Sequence, residues 1–118
     1  MDDRFLSLGY QVQLTEDEGV WVASARRLDT GDMFGPPVPG DRADEAADLL
    51  VRWLEWQREH TAALGALQEA ETDYHRLAAA EFAGPDEHQR SARRSALLRV
   101  DALRRELDEV REQRPWPR

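Results

Sequence analysis

From Leu6 to Leu14 the apolar residues recur at every second position: Leu6, Leu8, Tyr10, Val12 and Leu14, with Ser7, Gln11 and Gln13 between them. Alternation of this kind sets one row of side chains on a buried face and the other in water, so the run predicts a strand. Gly9 inside it marks a bulge. Thr15-Glu16-Asp17-Glu18-Gly19 predicts a turn, with Gly19 supplying a positive φ, and Val20-Trp21-Val22-Ala23-Ser24-Ala25 returns as the second strand of a hairpin. Asp29-Thr30-Gly31 signals another turn. Met33 and Phe34 open a third strand, but Pro36, Pro37 and Pro39 lack a donor N–H. That confines the segment to a sheet edge or an ordered loop.

After Gly40-Asp41 the period changes. Asp41 or Asp44 can cap a helix, and Asp44, Glu45 and Asp48 suit its positive end. From about residue 44 to 82 the chain reads as heptads. One row holds Ala46, Trp53, His60, Leu67 and Tyr74, and the row three residues on holds Leu49, Trp56, Ala63, Ala70 and Leu77. A third row, Leu50, Gln57, Leu64, Glu71 and Ala78, widens the stripe to about 100°. It is bulkiest at its N-terminal end, where it covers the sheet, and thins to a coiled-coil-like seam. Gly65 is a soft spot in this helix.

Gly84-Pro85 ends that helix, since glycine closes a C-terminus and proline cannot continue one. Asp86 and Glu87 suit the first turn of a second helix running to about Gln113. Its apolar seam, Ala96, Val100, Leu103, Leu107 and Val110 with Leu97 beside it, is the narrow line of a helix touching one neighbour. Opposite charges at i,i+4 pair Asp101 with Arg105, Arg104 with Asp108 and Arg105 with Glu109. A short turn between two helices makes an antiparallel hairpin. The fold class is therefore α+β: a small antiparallel β-meander of two or three strands packed on a long helix, then a second long helix completing a helical hairpin. The division is residues 1–60 for the meander and the first half of the long helix, 61–113 for the hairpin, and 114–118 for a flexible tail.

Composition narrows the partners. The formal net charge is −8 over 118 residues, and residues 1–84 hold 7 Arg against 17 acids while residues 85–118 hold 9 Arg against 7. An acidic front half argues against nonspecific nucleic-acid binding, which needs a basic face. All 16 basic residues are Arg, with no Lys, Asn or Ile, the pattern of GC-rich coding rather than of a phosphate-binding surface. With no Cys there is no disulfide, thiol nucleophile or thiolate metal site. Met1-Asp2-Asp3 has the wrong charge for a signal peptide, and no apolar run reaches membrane-spanning length. A cytoplasmic location and no membrane partner are expected.

Candidate chemistry is sparse. Glu71 and His75 at i,i+4 share a helix face and could chelate a cation, but two ligands do not make a site and no second such pair follows. His60 on the apolar stripe reads as a satisfied, partly buried histidine, and His88 is placed to pair with Glu81 across the hairpin. No Ser, His and Asp stand in an elbow or loop context, and Gly35-Pro36-Pro37-Val38-Pro39-Gly40 is too poor in donors to cradle phosphate. An enzyme is not expected, nor a cofactor. Trp21, Trp53 and Trp56 fit a core between hairpin and helix, with Trp56 able to reach past it. Trp116, between two prolines, reads as a contact anchor. The candidate partner-binding set is Trp56, Leu97, Val100, Leu103, Leu107, Val110 and Trp116, for a protein partner or a second copy of the chain.

Tyr10-Gln11-Val12-Gln13-Leu14, Glu16-Asp17-Glu18-Gly19, Val20-Trp21-Val22-Ala23 and the Gly40-Asp41…Glu45-Ala46 helix start make up a run, to about Glu59, that resembles the β-meander-plus-helix domain of HicB-like antitoxins. The resemblance implies a domain that binds and neutralises a small RNA-cleaving toxin. Members of that family often carry a DNA-binding segment at the C-terminus, where this chain has a helical hairpin instead. The expected function is a non-catalytic interaction or assembly module acting through that hairpin. An antitoxin-like regulator and a metal-binding helical protein are the alternatives.

Overall fold

A computed structural model describes residues 3–84 and 86–117. The order is α1 (Asp3–Leu8), β1 (Tyr10–Asp17), β2 (Val20–Arg27), β3 (Met33–Gly40), α2 (Ala43–Ala83) and α3 (Glu87–Glu112). The three strands form one antiparallel sheet in the order β1-β2-β3. The fold is α+β, a three-stranded meander followed by two long helices. The chain divides into two compact units: residues up to Gln57 with the tail from Arg114, and Arg58–Gln113.

In the first unit the strand expected from Leu6 begins only at Tyr10. Residues 3–8 form a helical turn and a half that buries Phe5 completely. Phe5 and Leu8 stand three apart, helical spacing, while Leu6 and Leu8 satisfy period 2, so a run this short fits both patterns. Gly9 is the joint rather than a bulge. At φ +93° its N–H donates to the Leu6 carbonyl (3.1 Å) and its own carbonyl accepts from Leu28 N–H (3.1 Å). Arg4 ties the helix to α2 through Asp48 (3.0 Å).

The expected five-residue turn shrinks to two. Asp17 pairs with Val20, and Glu18 (φ 52°) and Gly19 (φ 83°) alone turn the chain. Positive φ at both positions is the geometry of the tightest hairpin turn, which matches the twist of its strands. Glu18 pays for it, because a side chain there crowds the following carbonyl. Glu18→Asn is expected to raise stability by about 0.5–1 kcal/mol, since Asn tolerates that conformation. Urea denaturation checks this as a higher midpoint at unchanged slope.

The third strand exists and is an edge strand, as three prolines require. Its pairing with β2 slips between Ala23 and Ala25, beside Gly35-Pro36-Pro37. On the sheet's helix-facing side Ala23 and Ala25 leave room for larger neighbours to meet above them. Tyr10 and Phe34, two strands apart, stack at 5.4 Å between ring centroids, with the Arg27 guanidinium 4.6 Å from the Phe34 ring centre. Trp53 closes the stack, 6.2 Å from Phe34 and 6.3 Å from Trp56. Two glycines permit this approach. A Cβ on Gly35 (φ +78°) would lie 2.7 Å from the Trp53 ring, and one on Gly40 would lie 2.7 Å from the Ala46 backbone nitrogen.

The buried face of α2 here is Ala46, Ala47, Leu50, Val51, Trp53 and Leu54. It is broader than the heptad rows indicate, because the helix packs against α1 as well as the sheet. At its start the Arg42 carbonyl accepts from Ala46 N–H (3.1 Å), and the Asp44 carboxylate takes the Glu45 N–H (3.0 Å).

In the second unit α3 is capped by Asp86, whose carboxylate accepts the Gln89 N–H at 2.8 Å. Leu67 and Ala70 of α2 and Val100 and Leu107 of α3 form its core, with Ala63, Leu64, Tyr74 and Leu103 against it. Glu81 pairs with Arg93, and with Arg90 at 3.9 Å, rather than with His88. The Tyr74 hydroxyl and the Glu81 carboxylate both hold the Arg93 guanidinium's pKa above its ordinary value. Of the three i,i+4 pairs expected on α3, none closes among the described residues. Arg94 instead reaches back to Glu87 at 3.2 Å. Exposed side chains of this length gain little from holding one geometry in water.

Candidate interaction surface

The residues expected to bind a partner fall into three groups. Val100 and Leu107 are 2% and 3% exposed, and Leu103 and Val110 are half-buried. Val100, Leu103 and Leu107 belong to the hairpin's own interior. Val100 and Leu107, expected to face a partner, are therefore packed inside the hairpin itself. The seam of a two-helix hairpin is single-sided: what faces the neighbouring helix cannot also face outward.

Trp56 and Trp116 belong to the first unit. Both are half-buried against its core. The Arg114 guanidinium lies 5.6 Å from the Trp56 ring centre, and Arg114 Nε donates to the Trp116 carbonyl at 3.3 Å. The tail expected to be flexible thus folds back onto the meander unit as far as Trp116. Trp116 anchors it to its own chain, since an indole lying on an apolar surface gains more from burial than from standing in water.

Leu97 is the member of the set that stays on the surface, 37% exposed. On the hairpin two large hydrophobics outside the set stand further out, Leu98 at 69% and Phe82 at 93%. Leu98 lies one turn before exposed Ala102 on the outer side of α3. The signal for it was present, because a leucine immediately after Leu97 cannot share the narrow seam. Phe82, the penultimate residue of α2, carried no periodic signal, since the heptad rows fade before it.

The other candidates do not assemble into a chemical site. Glu71 is half-buried and His75 exposed, with its ring beside Tyr74 (5.6 Å between centroids). Among the described residues no three His, Asp or Glu side chains come together as a metal site would need. His60 Nε2 accepts from Arg111 Nε at 3.4 Å within the second unit. The surface hollows are shallow. One is lined by Leu8, Gly9, Tyr10, Arg27, Leu28 and Asp29, and another, on the hairpin, by Ala70, Asp73, Arg76, Leu77, Ser95, Ala96 and Arg99. Neither gathers the convergent polar groups of a ligand pocket. No described helix is long and apolar enough to cross a membrane. Comparison with family models, with curated proteins and with solved structures finds no match.

Proposed function

We propose that the chain is a non-catalytic assembly module whose helical hairpin takes a protein partner, either another chain or a second copy. The observation that carries this is the exposure of Leu98, Phe82 and Leu97 on a hairpin whose internal seam is already filled. Fully burying a leucine or phenylalanine is worth about 1.5–3 kcal/mol, so a surface that covers Leu98 and Phe82 gains most of that for each, and less for Leu97. Both helices offer charged side chains around these positions, the usual frame of an interface centred on a few apolar anchors. Leu98→Glu tests this at native expression level. The wild-type chain is expected to elute from gel filtration as a complex, and the variant at a smaller size with its helical content intact. Elution of the wild type and the variant at one position would sink the reading.

A second reading is supported by the element order alone. A three-stranded meander leading into a long helix fits the antitoxin domain that Tyr10–Glu59 resembles, and would make the meander the surface that holds a small toxin. Co-purification of a small basic ribonuclease with the meander unit, lost on altering its exposed strand residues and indifferent to Leu98→Glu, would favour it.

A further inference from the structure

We infer that the open edge of β1 pairs antiparallel with β1 of a second copy, joining two meanders into one six-stranded sheet. The sheet's two edges differ sharply. On β3, Pro36, Pro37 and Pro39 and the slipped register make a blunt edge that accepts no further strand. On β1 eight consecutive residues, Tyr10–Asp17, pair without interruption with β2 and, among the described residues, with nothing on the other side. That edge has no proline and no bulge, two of the devices that normally protect an edge strand, and its two charges, Glu16 and Asp17, stand together at the turn end.

A second copy is the occupant that this edge fits. Antiparallel pairing of a strand with itself is self-complementary and closes by two-fold symmetry. Centred on Gln13, it sets Leu14 opposite Val12 of the second copy, on the side of the sheet that carries the core. Leu14 is 39% exposed there, although its neighbours in the row, Val12 and Tyr10, pack against the core. In this register Glu16 falls opposite Tyr10 and Asp17 opposite Gly9, so no carboxylate meets a carboxylate across the new pair. Both outer edges of the six-stranded sheet are then β3, with its prolines, and assembly stops at two. A strand pair buries less than a standard interface, so the dimer is expected to be weak and reversible.

Purified full-length protein tests this by sedimentation equilibrium from micromolar to millimolar concentration. The wild type is expected to show reversible monomer–dimer exchange. Gln13 is exposed and lies on the symmetry axis, so Gln13→Lys and Gln13→Glu each place like charges opposite one another and weaken the dimer several-fold. An equimolar mixture of the two restores it. Without any substitution, amide hydrogen exchange in β1 should slow as concentration rises while exchange in β3 does not. Leu98→Glu should leave this dimer unchanged, which separates the inference from the hairpin reading. A wild type that stays monomeric to millimolar concentration overturns the edge pairing. So does a dimer that survives Gln13→Lys but is lost in Leu98→Glu, a result that would assign self-association to the hairpin.

Discussion

Trp53→Ala is expected to remove about 3–5 kcal/mol from the meander unit, the loss typical of truncating a buried aromatic. Trp53 is 8% exposed and sits where Phe34, Trp56 and the bare backbone of Gly35 converge, so no neighbour can collapse into the space it leaves. A domain of this size has on the order of 5–15 kcal/mol in total, so the variant should be unfolded or close to it at room temperature. The indole N–H contributes none of this, because Trp53 Nε1 is buried with no hydrogen-bond partner. Trp53→Phe should therefore cost much less than Trp53→Ala, for it keeps the ring and removes an unsatisfied donor. Chemical denaturation followed by near-ultraviolet circular dichroism measures both. A nearly silent Trp53→Ala would mean that α2 does not dock on the sheet.

Gly35→Ala is expected to cost about 2–4 kcal/mol, from two sources that act together. At φ +78° an L side chain is strained, worth roughly 1–2 kcal/mol. The new methyl would also lie 2.7 Å from the Trp53 ring, and overpacking of this kind adds about 1–3 kcal/mol. The two sources can be separated. In the Trp53→Phe background, which its smaller cost leaves folded, the outer indole atoms that the methyl meets are gone and mainly the strain remains, so the double variant should be more stable than the sum of the single losses implies. Additive costs would show that the ring and the glycine do not touch. The denaturation midpoints of the four proteins, at a common slope, decide it.

The long helices were legible because ten turns of repeating apolar rows leave little choice of element, and Gly84 followed by the Asp86 cap marks the break between them. The meander was legible in kind, since alternation over β1 and β2 and the prolines of β3 each have one ready interpretation. The errors cluster where a pattern is short or local. Phe5 and Leu8 give too few residues to tell a helix from a strand. Glu18 is not a residue that advertises a positive φ, so the turn looked longer than it is. On α2 the rows omitted Ala47, Val51 and Leu54, because periodicity reports the spacing of apolar residues and not how many elements surround them. The surface was the least legible part. Val100 and Leu107 were legible as apolar contacts, and the hairpin itself packs them. A heptad names the residues that pack, and which of the rest stay in water depends on how many neighbours a helix has in three dimensions. Trp116 is the same lesson from the opposite side, since a tail tryptophan with no local reason for burial is half-buried by residues far away in sequence.

The hairpin's role as an interaction surface is tested most directly by photo-crosslinking in the producing cell. A photoreactive side chain replaces Leu98 in one variant and Arg104 in another, both exposed positions on different sides of α3. Position 98 should form a discrete crosslinked species, and peptide mapping should place its second member at one defined surface, on another protein or on a second copy of this chain. Position 104 should yield little. Equal and diffuse labelling from both positions would contradict the account, because it would mean that Leu98 faces only water.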